Sequence, residues 1–400
     1  MSSNYSITVL QFQKLQGVKL KVVIYRDQID VLAGAYAVQR FLIGRKPNSI
    51  KSDQESILNL YRFCERNDID LHRRIRELSP ITIGEIEAFS IYCSFRRDRE
   101  GRVGAGLFQS RMRGAKAFIG YLWKFYQGRI SEKSESIVAA IARGEAMESA
   151  FEFYLKAPYQ PNRNDKVGLT PEMQARFYAI INPSEYNELN PWVRPEIRWR
   201  NYILLMAMML GGNRKGETLL LKLNHLQLTG RRKYFEIEKP KGVVIYARSE
   251  VPSVKTFGRQ VDLHDDLAAM FEYYITDMRV LFAGYQRSSY VFLSARDGQE
   301  LSLLTPNAIL NSLIAKNPEF KGVLTPHLLR NTFHDLLNNA LERRYKDSSP
   351  LSKALLKSPI QEAAGGWSQG STMPQHYSKG SINSRVSELQ REIQQRVLGR

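Results

Sequence analysis

Only two cysteines, Cys64 and Cys93, occur in 400 residues. They form no disulfide framework and have no metal-ligand spacing, so an oxidatively stapled scaffold is excluded and a reducing cytoplasm is the simplest home. Long apolar runs are also missing. The longest, residues 202–210 (YILLMAMML), lies between Arg200 and Arg214 and is too short to span a bilayer. It reads as a buried core helix. The opening stretch MSSNYSITVLQFQ has no basic segment leading into an apolar one, which argues against secretion. No P-loop, no cluster of Asp and Glu suited to a metal, no internal repeat and no low-complexity block is present. Nothing in the chain asks for a cofactor.

Acidic residues are the scarcer charged class: 40 Asp and Glu stand against 58 Lys and Arg, for a net charge of +18. Such an excess favours a polyanionic partner, with DNA or RNA the default. A membrane surface would call for a basic amphipathic helix or a lipidation motif, and neither stands out. The expected location is cytoplasmic, on the nucleoid if the source is prokaryotic.

The length fits two domains rather than one core. Residues 1–30 are mixed, with a strand-like stretch at 19–25 (KLKVVIY), and have no evident role. Residues 31–155 follow a helical pattern. In the segment 49–67, Ile57, Leu58, Leu60, Tyr61 and Cys64 share a face, with Ser52 and Asp53 as cap candidates. Thr82 and Glu85 have capping-box spacing, and a further helix is expected over 109–126. From Arg96 to Arg129, nine basic residues face two acidic ones. Arg96, Arg97, Arg99, Arg102, Arg111 and Arg113 are the phosphate-contacting candidates there; the plainer reading is a solvated loop and helix face. The neighbouring Phe118, Tyr121, Trp123, Phe125 and Tyr126 are assigned to the core rather than to base stacking.

Residues 156–167, rich in Pro, Asn and charge, read as a linker. A second domain spans 168–380, with helices over 170–181 and 194–210 and strands at 226–228, 234–238 and 260–263. The class is mainly α with a small antiparallel β-sheet. A C-terminal helix in 381–400 carries an apolar stripe of Val386, Leu389, Ile393 and Val397. Two readings stay open for it: packing on its own domain, or docking onto another protomer.

Six positions in the second domain form a chemical set: Arg214, Lys255, His327, Arg330, Trp367 and Tyr377. Two guanidinium forks suit bidentate phosphate recognition. A phenol can attack a phosphodiester with no water or metal, given charge stabilisation and a proton donor for the leaving oxygen. Arg214 sits in GGNRKGE, whose glycines allow a tight turn. His327 and Arg330 lie in TPHLLRNTFH, where Thr325 is a natural N-cap and Pro326 suits the first helical turn. Positions 327, 330 and 334 then share one face at a helix N-terminus.

These stretches resemble the boxes of the tyrosine recombinases, the phage-integrase superfamily. GGNRKGE resembles their "GxRxGE" box, with Asn213 in place of the usual leucine or aromatic residue. TPHLLRNTFH resembles "HxLRHTFA", with departures at Asn331 and His334. GGWSQGSTMPQHY (365–377) resembles the closing "GH(S)…Y" box, one residue longer than is common. KTFGRQV (255–261) resembles "KTxxxRxV" on the β-hairpin that carries the family's lysine; Lys239 is the runner-up, with Lys241 also in range. The resemblance implies a helical core-binding domain plus a mixed α/β catalytic domain of the integrase type. It makes Tyr377 the nucleophile, Arg214 and Arg330 a phosphate clamp, and Lys255 the general acid. Trp367 is then an indole donor, and Glu217 the support of Arg214. Double-stranded DNA is the implied partner, with self-association to a tetramer, and accessory factors or a sister recombinase as further partners. The alternatives are a type IB topoisomerase, a catalytically silent DNA-binding accessory protein and a metal-dependent nuclease.

Overall fold

A computed structural model describes residues 3–15, 17–96, 100–129, 135–156, 168–241, 244, 246, 248, 250–254, 257–366 and 379–398. The chain divides into two compact units, Met1–Asn164 and Asp165–Arg400, each with its own apolar core.

The first unit opens with an antiparallel meander, β1 (Tyr5–Phe12), β2 (Val18–Tyr25) and β3 (Gln28–Ile29). β1 and β2 pair from Tyr5↔Tyr25 to Phe12↔Val18. Val18, Leu20 and Val22 point inward along β2 at the two-residue period of a half-buried strand. Among the described residues, helices α1 (Val31–Leu42), α2 (Pro47–Arg66), α3 (Leu71–Arg76), α4 (Ile83–Ser94), α5 (Ala105–Gln127) and α6 (Glu135–Lys156) follow. Buried Gln54 ties the sheet to the helices: it accepts from the Val23 N–H and donates to the Ala33 carbonyl, both at 3.0 Å. β2 is therefore built into the packing of this unit.

α2 starts earlier than its cap candidates suggest. Extended Lys46 precedes Pro47 in the first turn, where a missing N–H is harmless. Ser52 and Asp53 lie inside the helix, bonded to Ser110 and Arg40. The Thr82–Glu85 capping box is present at the start of α4. On α5, Phe118 and Trp123 are core residues. Phe125 is 44% exposed, with the Arg129 guanidinium 4.6 Å from its ring centre. The segment 157–167 lies outside the described residues.

The second unit contains α7 (Pro171–Ile181), α8 (Pro195–Met209), α9 (Lys215–Leu219), β4 (Leu226–Gln227), β5 (Tyr234–Ile237), β6 (Arg259–Asp262), α10 (Asp265–Tyr273), α11 (Thr305–Lys316), α12 (Pro326–Arg344), α13 (Pro350–Gly365) and α14 (Lys379–Leu398). β4, β5 and β6 form an antiparallel sheet in that order, with Tyr234↔Asp262 and Ile237↔Arg259 marking the register of the last pair. Residues 200–210 are buried throughout, as expected of a helix apolar on all sides. Among the described residues no helix is long and apolar enough to cross a membrane.

α14 begins before its expected stripe and packs within its own unit, against α10, α12, α13 and β6. Val386, Leu389 and Ile393 are buried there, with Val397 partly so. A polar seam accompanies them. Buried Asp262 receives Arg232 Nε at 2.7 Å and bonds Ser387, while Gln390 Oε1 accepts the Asp262 N–H at 3.2 Å. Gln394 donates to the Asp262 carbonyl at 2.9 Å. In this single chain the stripe packs on its own domain.

Candidate functional site

The site is built on one fully buried carboxylate. Gly212 turns the chain after α8 at φ 63°, in the left-handed region, and an added Cβ would lie 2.4 Å from the Phe333 ring. That turn presents Arg214 as the N-cap of α9. Glu217, three residues on, accepts the Arg214 N–H at Oε2 (3.1 Å) and its guanidinium Nη1 at Oε1 (3.2 Å). Arg214 is 30% exposed at its side chain, Glu217 not at all.

α12 delivers the second guanidinium. Thr325 Oγ1 accepts the Leu328 N–H at 3.2 Å and Pro326 occupies the first turn, as the sequence predicts. His327 is exposed on the first turn, and Arg330 is 2% exposed. Arg330 Nη1 donates to the Gly212 carbonyl and lies 3.9 Å from Glu217 Oε2; its Nη2 donates to the Gly365 carbonyl at 2.8 Å. Arg214 and Arg330, from segments more than a hundred residues apart, thus meet at one carboxylate. The Gly365 bond also fixes the end of α13 two residues before Trp367.

A third guanidinium, to which the sequence assigned no role, completes the cluster. Arg259, at the start of β6, donates from Nη2 to Glu217 Oε2 and to Asn213 Oδ1, both at 2.9 Å. Its position in the KTFGRQV stretch was the available signal. Three cations around one carboxylate leave an uncompensated positive charge. Burial, then Arg214 and Arg259, push the Arg330 pKa down to about 9, with Glu217 opposing. Burial also lowers Arg259, against the pull of Glu217. His334, one turn beyond Arg330, is pushed down to about 3 by burial and then by Arg330, Arg259, Arg214 and His327. It is a neutral imidazole behind the arginines, in edge contact with Phe333 at 5.2 Å.

The connection expected to carry the lysine is partly in view. β5 and β6 close an enlarged connection between Ile237 and Arg259. Exposed Lys239 lies at its mouth, with Nζ 5.7 Å from the centre of the Phe257 ring. Phe257 N–H donates to the Gly366 carbonyl at 3.1 Å. Gly216 admits a close approach of this connection, since a Cβ there would lie 2.9 Å from the Ser253 carbonyl oxygen. Lys255, Trp367 and Tyr377 lie outside the described residues, as do Arg97 and Arg99.

In the first unit Arg113 and Arg102 are exposed and Arg96 is half-buried. Arg111 departs from its expected role. It is 9% exposed and Nη1 donates to the carbonyls of Cys93 (2.8 Å) and Phe95 (3.0 Å). It lies on the inner face of α5 with Phe108 and Met112, so it satisfies the end of α4 rather than meeting a phosphate. Among the described residues, no three His, Cys, Asp or Glu side chains are grouped so as to hold a metal ion.

The chain, mainly helical with two small antiparallel sheets among the described residues, has the integrase fold. Among solved structures it is similar to the integrase of the Tn1549 transposon in complex with a circular intermediate DNA. That match has 15% identity over 89% of this chain and 99% of that chain, at a TM-score of 0.51. The same integrase in complex with transposon right end DNA gives 16% identity, 90% and 99% coverage and a TM-score of 0.50. The XerH site-specific recombinase bound to its difH substrate gives 15% identity, 77% and 81% coverage and a TM-score of 0.36. No family model matches the sequence, and no curated protein does.

Proposed function

We propose that this protein is a site-specific DNA recombinase that cuts and rejoins DNA through a 3′-phosphotyrosyl intermediate. The observation that carries the proposal is the meeting of Arg214 and Arg330 within 3.2 and 3.9 Å of buried Glu217. Similarity to the Tn1549 integrase, solved in complex with DNA, supports it. In this reading the Tyr377 oxygen attacks the scissile phosphorus in line and the bond to the 5′ oxygen breaks. A free phenol has a pKa of about 10, so attack at neutral pH needs help. His327 accepts or positions the phenol proton, and Lys255 gives a proton to the leaving 5′ oxygen. Arg214 and Arg330 hold the non-bridging oxygens, and Trp367 donates its indole N–H to one of them. The phosphodiester energy is kept in the tyrosyl link, so attack by a 5′ hydroxyl from a partner duplex reseals the strand. Four protomers around two duplexes then resolve a four-way junction. Arg96, Arg102 and Arg113 of the first unit contact backbone phosphates, giving a steep salt dependence.

One observation favours a second reading, nicking and resealing without exchange in the manner of a type IB topoisomerase: the α14 stripe is buried within its own unit, so it offers no free surface for assembly. Covalent capture tests both. The protein is incubated with a library of nicked duplexes, whose short released fragment traps any adduct, beside Tyr377→Phe and Lys255→Ala. An adduct absent from Tyr377→Phe supports the chemistry and reveals the target; joined products from two duplexes separate recombination from swivelling. Tight, salt-sensitive binding with no adduct would sink the enzymatic reading in favour of a silent DNA-binding protein.

A further inference from the structure

The cluster contains one more cation than the proposed phosphate clamp needs. Glu217 Oε2 is bonded by the Arg214 N–H at 3.1 Å and by Arg259 Nη2 at 2.9 Å, while Arg330 Nη1 stands 3.9 Å away, in ion-pair range but beyond hydrogen-bond length. Arg330 instead donates to two backbone carbonyls, those of Gly212 and Gly365. A buried carboxylate takes the nearest strong donor available to it. Arg259 occupies that place, anchored on its other side by Asn213, which is 0% exposed. At their side chains Arg259 is 8% exposed and Arg330 3%, against 30% for Arg214, so what distinguishes Arg259 is its pair of bonds to Glu217 and Asn213.

We infer that Arg259 is a positioning residue: by saturating Glu217 Oε2 from behind, it keeps Glu217 from capturing Arg330 and so preserves the two-guanidinium clamp. The inference rests on the recombinase reading above. Charge counting sharpens it. Three arginines and one glutamate sum to +2, against a phosphodiester of −1 whose charge grows toward −2 as a fifth oxygen joins phosphorus. Removing Arg259 lowers the sum to +1 and frees Glu217 to pair with Arg330. Both effects weigh on the transition state more than on the bound ground state, so the bond-breaking rate should fall while DNA affinity barely changes.

The test uses the full chain and two nicked duplexes that differ only at the scissile linkage. One is an ordinary phosphodiester; in the other a methyl group replaces one non-bridging oxygen, which removes a unit of charge from ground and transition states alike. Wild type, Arg259→Met and Arg259→Lys are compared for the rate of adduct formation, for DNA affinity and for thermal midpoint. The expected result is a loss on the order of a hundredfold in rate for Arg259→Met on the phosphodiester, the scale of a small misplacement of catalytic groups. The deficit should be largely recovered on the methylphosphonate, with affinity little changed. Arg259→Lys keeps the charge but cannot bridge both acceptors, so an intermediate loss is expected. Equal losses on both substrates would mean a structural role only and overturn the inference; so would no loss on either. A wild type that forms no adduct on either substrate overturns the recombinase reading itself, and the wild-type lane alone tells that case apart. Should Arg259→Met not fold, Arg259→Gln, which also removes the charge but keeps an amide donor, carries the same comparison.

Discussion

At the scale of single residues the site is a problem in charge balance, and Glu217 is where it is solved. Its carboxylate is fully buried and is the acceptor for two guanidiniums and a backbone N–H. Glu217→Gln would keep the shape but leave three buried or half-buried cations around a neutral amide. Removing one partner of a buried pair costs about 3–5 kcal/mol, so a lowered denaturation midpoint and loss of the Tyr377 adduct are expected together. An unchanged midpoint would show that the cluster does not depend on its carboxylate. His334 gives a second, pH-based expectation. Its folded pKa, near 3, lies below the ordinary value of 6.5. Between those values the unfolded chain binds a proton that the folded protein does not, so stability is lost as pH falls below about 6.5. The slope is at most about 1.4 kcal/mol per pH unit, or roughly 2 kcal/mol between pH 6.5 and 5. His334→Gln should remove that share of the acid sensitivity. Denaturant titrations at the two pH values, wild type beside variant, would show it; identical pH dependence would mean that His334 titrates normally in the fold.

At the scale of elements, α12 is the clearest case of the candidate site resting on a local signal. Thr325 caps it and Pro326 occupies its first turn, so His327 and Arg330 are placed by the start of the helix. Thr325→Ala should cost about 1 kcal/mol, and thermal melting should record it. Thr325→Ser should restore it, and failure of serine to do so would mean that the cap bond is not the source of the loss. Such i-to-i+3 features were legible in the sequence: the Thr325 cap, the Thr82–Glu85 box and the Arg214–Glu217 spacing each depend on neighbours in the chain. What depends on distant partners was not. Arg259 meets Glu217 across 42 residues, and Arg330 meets Gly212 across 118. The KTFGRQV stretch around Arg259 drew attention to Lys255, and only the tertiary contact with Glu217 brings the arginine into the cluster. Arg111 shows the converse: a composition-based reading put it with the basic surface, but its place on the inner face of α5 turns it toward the Cys93 and Phe95 carbonyls. β1 was missed for a similar reason, because its partner β2 carries the stronger β-branched pattern and the pairing register is a tertiary fact.

For the whole molecule the decisive element is α14. An apolar stripe on a terminal helix is equally good evidence for packing in place and for docking on a neighbour, because periodicity reports only that a face is buried. The structure supplies the missing half: Leu389 is 0% exposed and Ile393 4%, within the core of their own unit. The helix is also bound by polar groups that leave little slack. Ser387, Gln390 and Gln394 bond Asp262 through its side chain and backbone, while Arg343 and Arg344 pair with Glu392 and Glu388 at 3.4 and 2.9 Å. A face so occupied cannot also recruit a second chain unless this packing is first undone. The protein without DNA is therefore expected to sediment as a monomer of 46.0 kDa across the micromolar range. Leu389→Ala should act on the fold itself. A large-to-small change in a filled core costs about 2–5 kcal/mol, so the thermal midpoint should fall while the DNA-free protein stays monomeric. A stable dimer in wild type that Leu389→Ala dissolves, with the midpoint of the resulting monomer unchanged, would mean instead that α14 is exchanged between protomers in solution. If the monomer is found, the proposed assembly on DNA must begin with release of α14 or use another surface. Sedimentation with a target duplex, wild type beside Gln390→Ala, separates the two routes: a weakened latch should promote assembly in the first and leave it unchanged in the second.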